Sequence, residues 1–379
     1  MKQLLCCLLI LLVLGCKQKY DSPVHSPVTG YLVVDGIVNS GAGSTIIKLS
    51  RTAQLDSTNI VFERGATVVI EGEDNSNYTL FETDSGHYNT GDLNLNSSIK
   101  YRLNISTADG KKYQSDFTPV KNNPPIDSIS WKRENGGVQT YINTHDPLDT
   151  TLYYQWEYSE AWEFHTYSSE LKYVVKNIPG DQIYSVALRD STDPPIYSVC
   201  YQSDASTNIL IGSSAKLSKD IINLPLGYVE PASWKISVLY SIDTKQYALT
   251  KPGYEFLEKM KKNTEGIGSI FDAQPSNLNG NIHCISNPAE PVVGYLNICP
   301  VQEKRIFITN AQVPNWNYNS YCYLVTIANN SDSIKLIGLF LDPTTVAASG
   351  LGIVSFNAAP PTCVDCELTG THVKPFFWP

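Results

Sequence analysis

Residues 100–117 read KYRLNISTADGKKYQSDF, and this stretch indicates the kind of fold that the chain adopts. Apolar residues alternate with polar ones over YRLNI (101–105), which is the period of a β-strand with one buried face. The dipeptide Asp109-Gly110 follows, typical of tight hairpin turns, and a second strand-like run comes directly after it. We therefore predict a β-hairpin within these residues.

Short runs of the same kind precede the hairpin, among them YLVVDGIV, STIIKLSRT and GATVVIEGED. They recur about every ten residues, a spacing typical of immunoglobulin-like β-sandwiches. The chain also has 23 tyrosines and only 17% charged residues, and tyrosine favours strands. We assign residues 28–121 to an N-terminal immunoglobulin-like β-sandwich.

The paired prolines of NNPP (122–125) indicate a domain boundary, because proline restricts the backbone and cannot donate to a strand ladder. Further strand-like runs follow, including TTLYYQWEYSEAWEF, WKISVLYSI and YCYLVTIA. Residues 126–379 are therefore assigned to a larger antiparallel β domain. The predicted fold class is all-β, with the sandwich first and the larger domain second.

One segment of the larger domain departs from the strand pattern. A suitable N-cap, an early proline and a closing glycine frame TKPGYEFLEKMKKNTEG (250–266). Phe256, Leu257 and Met260 fall on one face at helical spacing. We predict a single short helix over residues 252–264.

The N-terminus, MKQLLCCLLILLVLGCKQKY, has the pattern of an export signal. Lys2 precedes about eleven apolar residues, the length of a signal-peptide core and too short to span a bilayer. Gly15 then precedes Cys16 as in a lipobox. We predict a signal peptide over 1–15, a lipid on Cys16 that anchors the chain to a membrane, and a polar tether over 16–27. The alternative is an ordinary signal peptide in which Cys16 has no role.

Nine cysteines occur in the chain, and three of them, Cys6, Cys7 and Cys16, lie at the N-terminus. An even number outside the cytoplasm favours disulfides, here with about fifteen possible connectivities. The disulfide candidates are the remaining cysteines: Cys200, Cys284, Cys299, Cys322, Cys363 and Cys366.

The C-terminal stretch CVDCELTGTHVKPFFWP (363–379) contains a Cys-x-x-Cys pair that has three interpretations. A redox dithiol needs a helix after its first cysteine, and no helical run follows Cys363. Zinc would need a second pair of ligands, which other cysteines could supply. We favour structural disulfides, and we predict that disulfide bonding and burial of the KPFFW aromatics pin this tail to the larger domain.

Catalytic and metal-binding patterns are weak. No two of the six histidines have zinc-ligand spacing, and no Gly-x-Ser-x-Gly elbow occurs. The net charge of −9 and the lack of long basic runs argue against nucleic acid as a partner. Glu157, Glu160 and Glu163 could form a carboxylate cleft for sugars, but a spacing of three suits a helix and not this strand-like run. We therefore expect no catalytic residue, no metal and no cofactor.

Aromatic residues cluster in TTLYYQWEYSEAWEF, the first long run of the larger domain. Aromatic side chains give much contact area at a small cost in conformational entropy. Tyr153, Trp156 and Trp162 are therefore our candidates for contacts with a ligand or partner, although large tryptophans can equally be core residues.

Residues 268–309 resemble the signature of a Bacteroidota lipoprotein family, the domain-of-unknown-function family 4249. The shared motifs are Ile270-Phe271-Asp272, Gln274-Pro275, Gly280-Asn281-Ile282, Asn287-Pro288, Val293-Gly294-Tyr295 and Lys304-Arg305-Ile306-Phe307. The lipobox, the strand Leu32-Val33-Val34-Asp35-Gly36 and the closing Cys-x-x-Cys with its Lys-Pro and aromatic-Trp ending are similar to the family as well.

The resemblance implies an outer-membrane lipoprotein of the kind often encoded near TonB-dependent transporters. It implies an accessory binding role at such a transporter, with no catalytic residue to carry over. Two other functions remain open: a surface hydrolase acting on glycans or peptides, and a structural or adhesin component of the envelope. Whether the protein faces the periplasm or the cell surface is undecided.

Overall fold

A computed structural model gives the fold of most of the chain. It describes residues 30–53, 59–166, 173–177, 184–188, 191–192, 195–265, 278, 280–318, 322, 325–328, 330–332, 340–342, 347–348, 352–353 and 355–379. The expected signal peptide, Cys16 and the whole tether lie outside the described residues, as do the signature residues Ile270 to Pro275.

The structure confirms the all-β class. The first ten strands are β1 (Leu32–Asp35), β2 (Val38–Asn39), β3 (Thr45–Arg51), β4 (Val61–Phe62), β5 (Thr67–Gly72), β6 (Asn77–Asp84), β7 (His87–Thr90), β8 (Lys100–Ser106), β9 (Lys112–Ser115) and β10 (Thr118–Pro119). The predicted hairpin is β8 and β9, which pair antiparallel across the Asp109-Gly110 turn.

The remaining elements follow the proline boundary. They are β11 (Ile126–Glu134), β12 (Gly137–His145), β13 (Tyr153–His165), β14 (Tyr173–Asn177), β15 (Tyr184–Leu188), β16 (Val199–Ala205), β17 (Leu210–Ser213), β18 (Ile221–Val229), β19 (Leu239–Ala248), α1 (Lys251–Glu265), β20 (Ile282–Cys284), β21 (Ile298–Cys299), β22 (Gln302–Thr309), β23 (Val325–Ala328), β24 (Phe340–Asp342), β25 (Ala347–Ala348), β26 (Gly352–Ile353) and β27 (Ser355–Ala359). The predicted helix is α1, within one residue at each end.

The N-terminal strands form one bent sheet in the order β1-β3-β7-β6-β5-β8-β9-β20, with β4 beside β3 and β10 beside β8. The sheet bends at β6, whose first half pairs with β5 and whose second half pairs with β7. Ile47 on one side of the bend and Leu103 on the other belong to one buried cluster. The strands therefore fold over a single core, and the immunoglobulin-like arrangement of that core stays a prediction.

The chain returns to this core after α1. β20 pairs antiparallel with β9, and β21 pairs parallel with β2. Ile282, Val292 and Leu296 are buried in the same cluster as the N-terminal strands. The N-terminal unit therefore comprises β1–β10 together with β20 and β21, so its sequence extends beyond the predicted range of 28–121.

The second unit is built on a central sheet in the order β16-β13-β19-β22, with β17 also pairing with β13. A three-stranded sheet, β11-β12-β18, supplies side chains to the same core as the central sheet. Trp156 of β13 and Tyr240 of β19 are fully buried there. A third sheet has the order β15-β14-β24-β27-β23.

Two disulfides hold the C-terminal stretch in place. Cys366 is bonded to Cys200 in β16, and Cys363 is bonded to Cys322. The two cysteines of the Cys-x-x-Cys pair are therefore not joined to each other. Each one connects the tail to a different part of the second unit.

Cys284 and Cys299 correct the disulfide prediction, since both are buried free thiols. They pack in different hydrophobic clusters, Cys284 in the N-terminal core and Cys299 against Tyr247 and Ala248. Burial raises the pKa of the Cys299 thiol to about 12. Both residues therefore act as small apolar side chains, a common role for buried cysteine.

The last residues of the chain pack onto the central sheet. The Trp378 ring makes edge contacts with Tyr201 and Phe307, and its Nε1 donates to Glu163 Oε2 at 3.0 Å. Phe377 lies under the guanidinium of Arg305, 3.7 Å from ring centroid to Cζ. The structure thus shows the tail pinned by disulfides and by the packing of Phe377 and Trp378, whereas Phe376 is exposed and takes no part in the predicted aromatic burial. None of the helices among the described residues is long and apolar enough to cross a membrane.

Candidate ligand-binding cleft

Two of the three aromatic candidates are core residues, which corrects the prediction that they contact a ligand. Trp156 is 0% exposed and Trp162 is 4% exposed. Both lie on the face of β13 that packs inward, where Trp156 Nε1 donates to Gln246 Oε1 at 2.9 Å. The third, Tyr153, is half-buried, and its ring lies 5.2 Å from that of Tyr254 in α1.

The opposite face of β13 is polar, because successive side chains along a strand alternate between its faces. The strand register places Glu157 beside Lys245 of β19, and Lys245 beside Glu303 of β22. A row of alternating charge therefore crosses the outer face of the central sheet. The N-terminal unit and α1 stand next to this row and form a cleft with it.

The cleft has two lobes, and we call the whole of it the interunit cleft. Its apolar lobe has a volume of about 520 Å³. The apolar residues that line it come from β1 and the turn after it, from the residue before β4, from α1 and from the segment that returns to the first core: Val33, Val34, Ile37, Ile60, Phe256, Leu257, Met260, Val293 and Tyr295. The face that the helix presents here is the one predicted from its spacing.

The polar lobe adjoins the apolar lobe and has a volume of about 510 Å³. Its lining includes charged, titratable and hydrogen-bonding side chains from both units: Asp35, Asn39, Ser44, Lys48, His87, Glu157, Lys245, Tyr247 and Glu303. Asp35, Lys48 and Glu157 line both lobes and therefore mark the junction between them.

Glu157 is the central side chain of the cleft. Its Oε2 accepts a hydrogen bond of 3.0 Å from the Tyr247 hydroxyl. Its carboxylate is accessible from the cleft, but surrounding protein atoms remove part of its hydration, and this desolvation raises the pKa of Glu157. The nearby charge of Asp35 raises it further, while Tyr247 and Lys245 lower it.

A smaller side pocket of about 190 Å³ opens beside Glu157 and includes Ser159, Ser206, Asp243 and Lys245. Asp243 is 5% exposed, and its Oδ2 lies 3.0 Å from Arg305 Nη2. Burial and a hydrogen bond with Glu303 raise the pKa of Asp243 to about 6, against the opposing effect of Arg305.

The three glutamates of β13 do not meet. Glu157 and Glu163 lie on the outer face, but six residues of strand separate them by about 20 Å. Glu160 is buried, where it contacts Lys235 at 2.5 Å and accepts from the Tyr240 hydroxyl. This trio therefore cannot be the paired carboxylates of a glycosidase. No group of three or more His, Cys, Asp and Glu side chains with metal-binding geometry occurs in the part of the chain that is described.

The sequence contained one usable signal for the cleft, which is the position of Glu157 between two inward-facing aromatics, Trp156 and Tyr158. A charged residue at such a position must lie on the other face of the strand. The contributions of Asp35 and Lys48 could not be found in this way, because they come from strands more than a hundred residues away along the chain.

Comparisons with solved structures include two distant likenesses. One is to a protein from Bacteroides uniformis described as a candidate carbohydrate-binding protein, with 9% identity, 59% of this chain and 91% of that chain covered, and a TM-score of 0.14. Another is to a chitinase from Bacillus thuringiensis, with 16% identity, 49% of this chain and 29% of that chain covered, and a TM-score of 0.14.

No curated protein matches the chain in sequence. A family profile does match, over residues 17–305, which include every strand of the N-terminal unit, the central β13 and β19, and α1. That range contains all of the residues that line both lobes of the interunit cleft. The chain therefore belongs to the family described as domain of unknown function DUF4249.

Proposed function

We propose that this protein is a lipid-anchored, non-catalytic binding protein that takes a small ligand in the interunit cleft and serves a TonB-dependent transporter in the outer membrane. The observation that carries the binding role is the two-lobed cleft itself. Each lobe falls within the range of about 300–1,000 Å³ that is usual for small-molecule sites. An apolar lobe joined to a polar one is also the usual composition of such sites.

Two further observations support export and anchoring. The disulfides Cys200–Cys366 and Cys322–Cys363 are of a kind that persists in oxidising compartments outside the cytoplasm. The sequence of residues 1–16 has the pattern of a lipoprotein signal. The transporter as partner rests on the resemblance to the lipoprotein family.

Ligand binding can be tested by filling the apolar lobe. The Leu257→Trp variant adds bulk to the wall formed by α1 and should abolish binding there. Purified mature protein, with Cys16→Ser to prevent lipidation, would be screened against a library of small polar and amphipathic compounds by thermal shift and native mass spectrometry. We expect at least one compound to stabilise the protein that retains Leu257 and not the Leu257→Trp variant.

The matched control is Phe376→Ala, since this side chain is 99% exposed and does not line the cleft. It should leave all thermal shifts unchanged. If the compounds stabilise the Leu257→Trp variant as much as the protein that retains Leu257, the ligand site lies elsewhere.

Anchoring and the partner need separate measurements in cells. Cys16→Ala should move the protein from the membrane to the soluble fraction, and photo-crosslinking from the second unit should capture an outer-membrane transporter. A protein that stays in the membrane fraction after Cys16→Ala would contradict lipid anchoring.

A glycan hydrolase is the second candidate, and one arrangement favours it. Glu157 and Asp243 both line the side pocket and both have raised pKa values. Because Glu157 pairs with Lys245 and Ser159 pairs with Asp243, Glu157 and Asp243 occupy diagonal positions on one face of the sheet, where neighbouring residues are about 7–8 Å apart. Two catalytic carboxyls require a spacing of this order. Release of reducing ends from a glycan panel, lost in Glu157→Gln and in Asp243→Asn, would support this function over the first.

A further inference from the structure

We propose that the interunit cleft selects ligands in which a protonated amine is attached to an apolar body, with the amine held between Asp35 and Glu157. This inference rests on the proposed binding function and names the chemical class of its ligand. The ligand is a small organic cation and not a segment of a protein chain.

The first argument is the position of the two carboxylates. Asp35 and Glu157 come from different units, and both line both lobes. The Asp35 carboxylate has no hydrogen bond or ion pair to another described side chain. Glu157 accepts from Tyr247 at 3.0 Å and from Gln155 at 3.5 Å, so much of its hydrogen-bonding capacity faces the cleft.

The second argument is that the neighbouring lysines do not contact these carboxylates directly. Lys48 is the cross-strand neighbour of Asp35, and Lys245 is that of Glu157. Within the described part of the chain, neither lysine forms an ion pair with its neighbour. Lys48 Nζ lies over the Phe62 ring at 5.7 Å.

The third argument concerns the other charged groups at the junction. Arg51 also lines the apolar lobe, but its Nε is bound to Glu63 at 2.6 Å. Lys245 in the polar lobe lies between two glutamates, since Glu303 is its neighbour on the far side. The junction therefore has more negative charge that is open to a ligand than positive charge.

The raised pKa of Glu157 agrees with this arrangement. Desolvation and the charge of Asp35 both disfavour its ionised form. A bound ammonium group would favour that form, and would donate hydrogen bonds to both carboxylates at once. Amine binding should therefore lower the pKa of Glu157. Molecules in which Glu157 is still protonated should release that proton when the amine binds.

The apolar lobe accounts for the rest of the ligand. Phe256, Leu257 and Met260 of α1 face Val33 and Val293 across it. Methionine and leucine side chains adapt to flat rings and to alkyl chains. An amine without an apolar body would leave this lobe filled with water.

A matched set of three probes tests the inference: 4-phenylbutylamine, 4-phenylbutanol and 4-phenylbutanoate. Their bodies are the same, and they carry a positive charge, no charge and a negative charge. Isothermal titration at pH 7.5 should show the amine binding at least about tenfold more tightly than the alcohol, since a charge-assisted hydrogen bond is worth more than a neutral one. The carboxylate should bind most weakly.

Variants assign the selectivity to named side chains. Glu157→Gln and Asp35→Asn should each weaken amine binding by about tenfold or more and weaken alcohol binding far less, since the alcohol makes only a neutral donor's hydrogen bond there. Glu163→Gln is the control, because it lies on the same face of the same strand and lines neither lobe. Leu257→Trp should weaken the binding of amine and alcohol alike.

The pH dependence gives an independent readout. Amine affinity should rise with pH as Glu157 ionises, and Glu157→Gln should remove that rise. Asp243→Asn should keep it, which excludes the other nearby carboxyl whose pKa is raised. His87 also lines the polar lobe, so His87→Gln should keep it too.

Each outcome decides the matter. Equal binding of amine and alcohol, tightest binding of the carboxylate, or an amine affinity unaffected by Glu157→Gln would overturn amine selection. In each of these three cases, loss of alcohol binding in Leu257→Trp would show that the cleft is still a binding site, so that the proposed function stands while the amine inference fails. If no probe binds while a screened compound does, the ligand belongs to another chemical class and the inference is again overturned.

Discussion

Gly280 and Gly294, two glycines of the family signature, lie where no side chain fits. A Cβ on Gly280 would come within 1.6 Å of the Gly294 carbonyl oxygen, and a Cβ on Gly294 would come within 2.4 Å of the Val34 carbonyl oxygen. Between them, the Asn281 side chain accepts from Leu296 N at 2.7 Å and donates to its carbonyl oxygen at 3.2 Å. These contacts hold the returning segment close against β1. The signature residues Gly280, Asn281 and Gly294 therefore have a structural role in joining these two segments.

Gly294→Ala should therefore destabilise the protein strongly. The residue has φ +152° and close backbone neighbours, so alanine meets both strain and a clash. We expect a loss of more than about 2 kcal/mol in the free energy of unfolding, measured by urea denaturation. Gly110→Ala is the control, since its φ is +85° but nothing lies within 4 Å. A similar loss in both variants would mean that the clash with β1 contributes nothing.

Asp243 should make stability depend on pH. Its pKa is about 6 in the folded protein and about 3.9 for an ordinary aspartate, so the folded state binds an extra proton between these values. The contribution of Asp243 to stability is therefore fully present below about pH 4 and is lost as the pH rises through about 6. Asp243→Asn should lessen this loss by about 3 kcal/mol, measured by urea denaturation at pH 4, 5, 6 and 7. An unchanged slope would contradict the raised pKa.

Sequence patterns predicted the burial of single side chains well where one face of a strand is apolar and the other is polar. The alternation at residues 101–105 correctly indicated which side chains of β8 are buried. In β13 the same period could not tell whether the tryptophan face or the glutamate face points inward, because that depends on the partner sheet. Trp156 and Trp162 were therefore assigned to a ligand surface, although they are core residues.

At the scale of elements, α1 and the β8-β9 hairpin were predictable because their signals are local. The return of β20 and β21 to the first core was not, since strand pairing across more than 160 residues leaves no local periodicity. The cleft depends on that return, because Val293 and Tyr295 form part of its wall. Local sequence patterns therefore predicted α1, which forms one wall of the site, but they could not predict where the site lies.

The disulfides can be tested by mapping thiols. Alkylation of the mature protein in denaturant without reductant should label Cys284 and Cys299 and spare the other four. Peptide mass spectrometry should then find Cys200 linked to Cys366 and Cys322 linked to Cys363. A Cys363–Cys366 peptide as the main product would contradict the structure.

At the scale of the whole molecule, the two cores are interdependent. The N-terminal core includes Ile282, Val292, Leu296 and Ile298, which follow β13, β16 and β19 of the central sheet in sequence. The fold of the first unit is therefore complete only when the chain has passed through much of the second unit. Asn123 strengthens this link, since its Nδ2 donates to the carbonyl oxygens of Gln246 and Pro300.

A fragment of residues 28–121 should accordingly fail to fold alone. It lacks the side chains of β20 and β21 and exposes the edge of β9 to solvent. We expect poor chemical-shift dispersion in its NMR spectrum, and improved dispersion when a synthetic peptide of residues 278–301 is added. A well-dispersed spectrum without the peptide would show that the N-terminal strands are an independent domain.

The Cys200–Cys366 bond also has a consequence for biogenesis. During synthesis, Cys200 emerges well before Cys366, which lies 166 residues further along the chain. In that interval it encounters Cys284, Cys299, Cys322 and Cys363, any of which could oxidise with it first. An oxidase that joins cysteines in order of emergence would trap the chain in a wrong pairing. Production of native protein should therefore depend on a disulfide isomerase, and yield should fall in a host that lacks one.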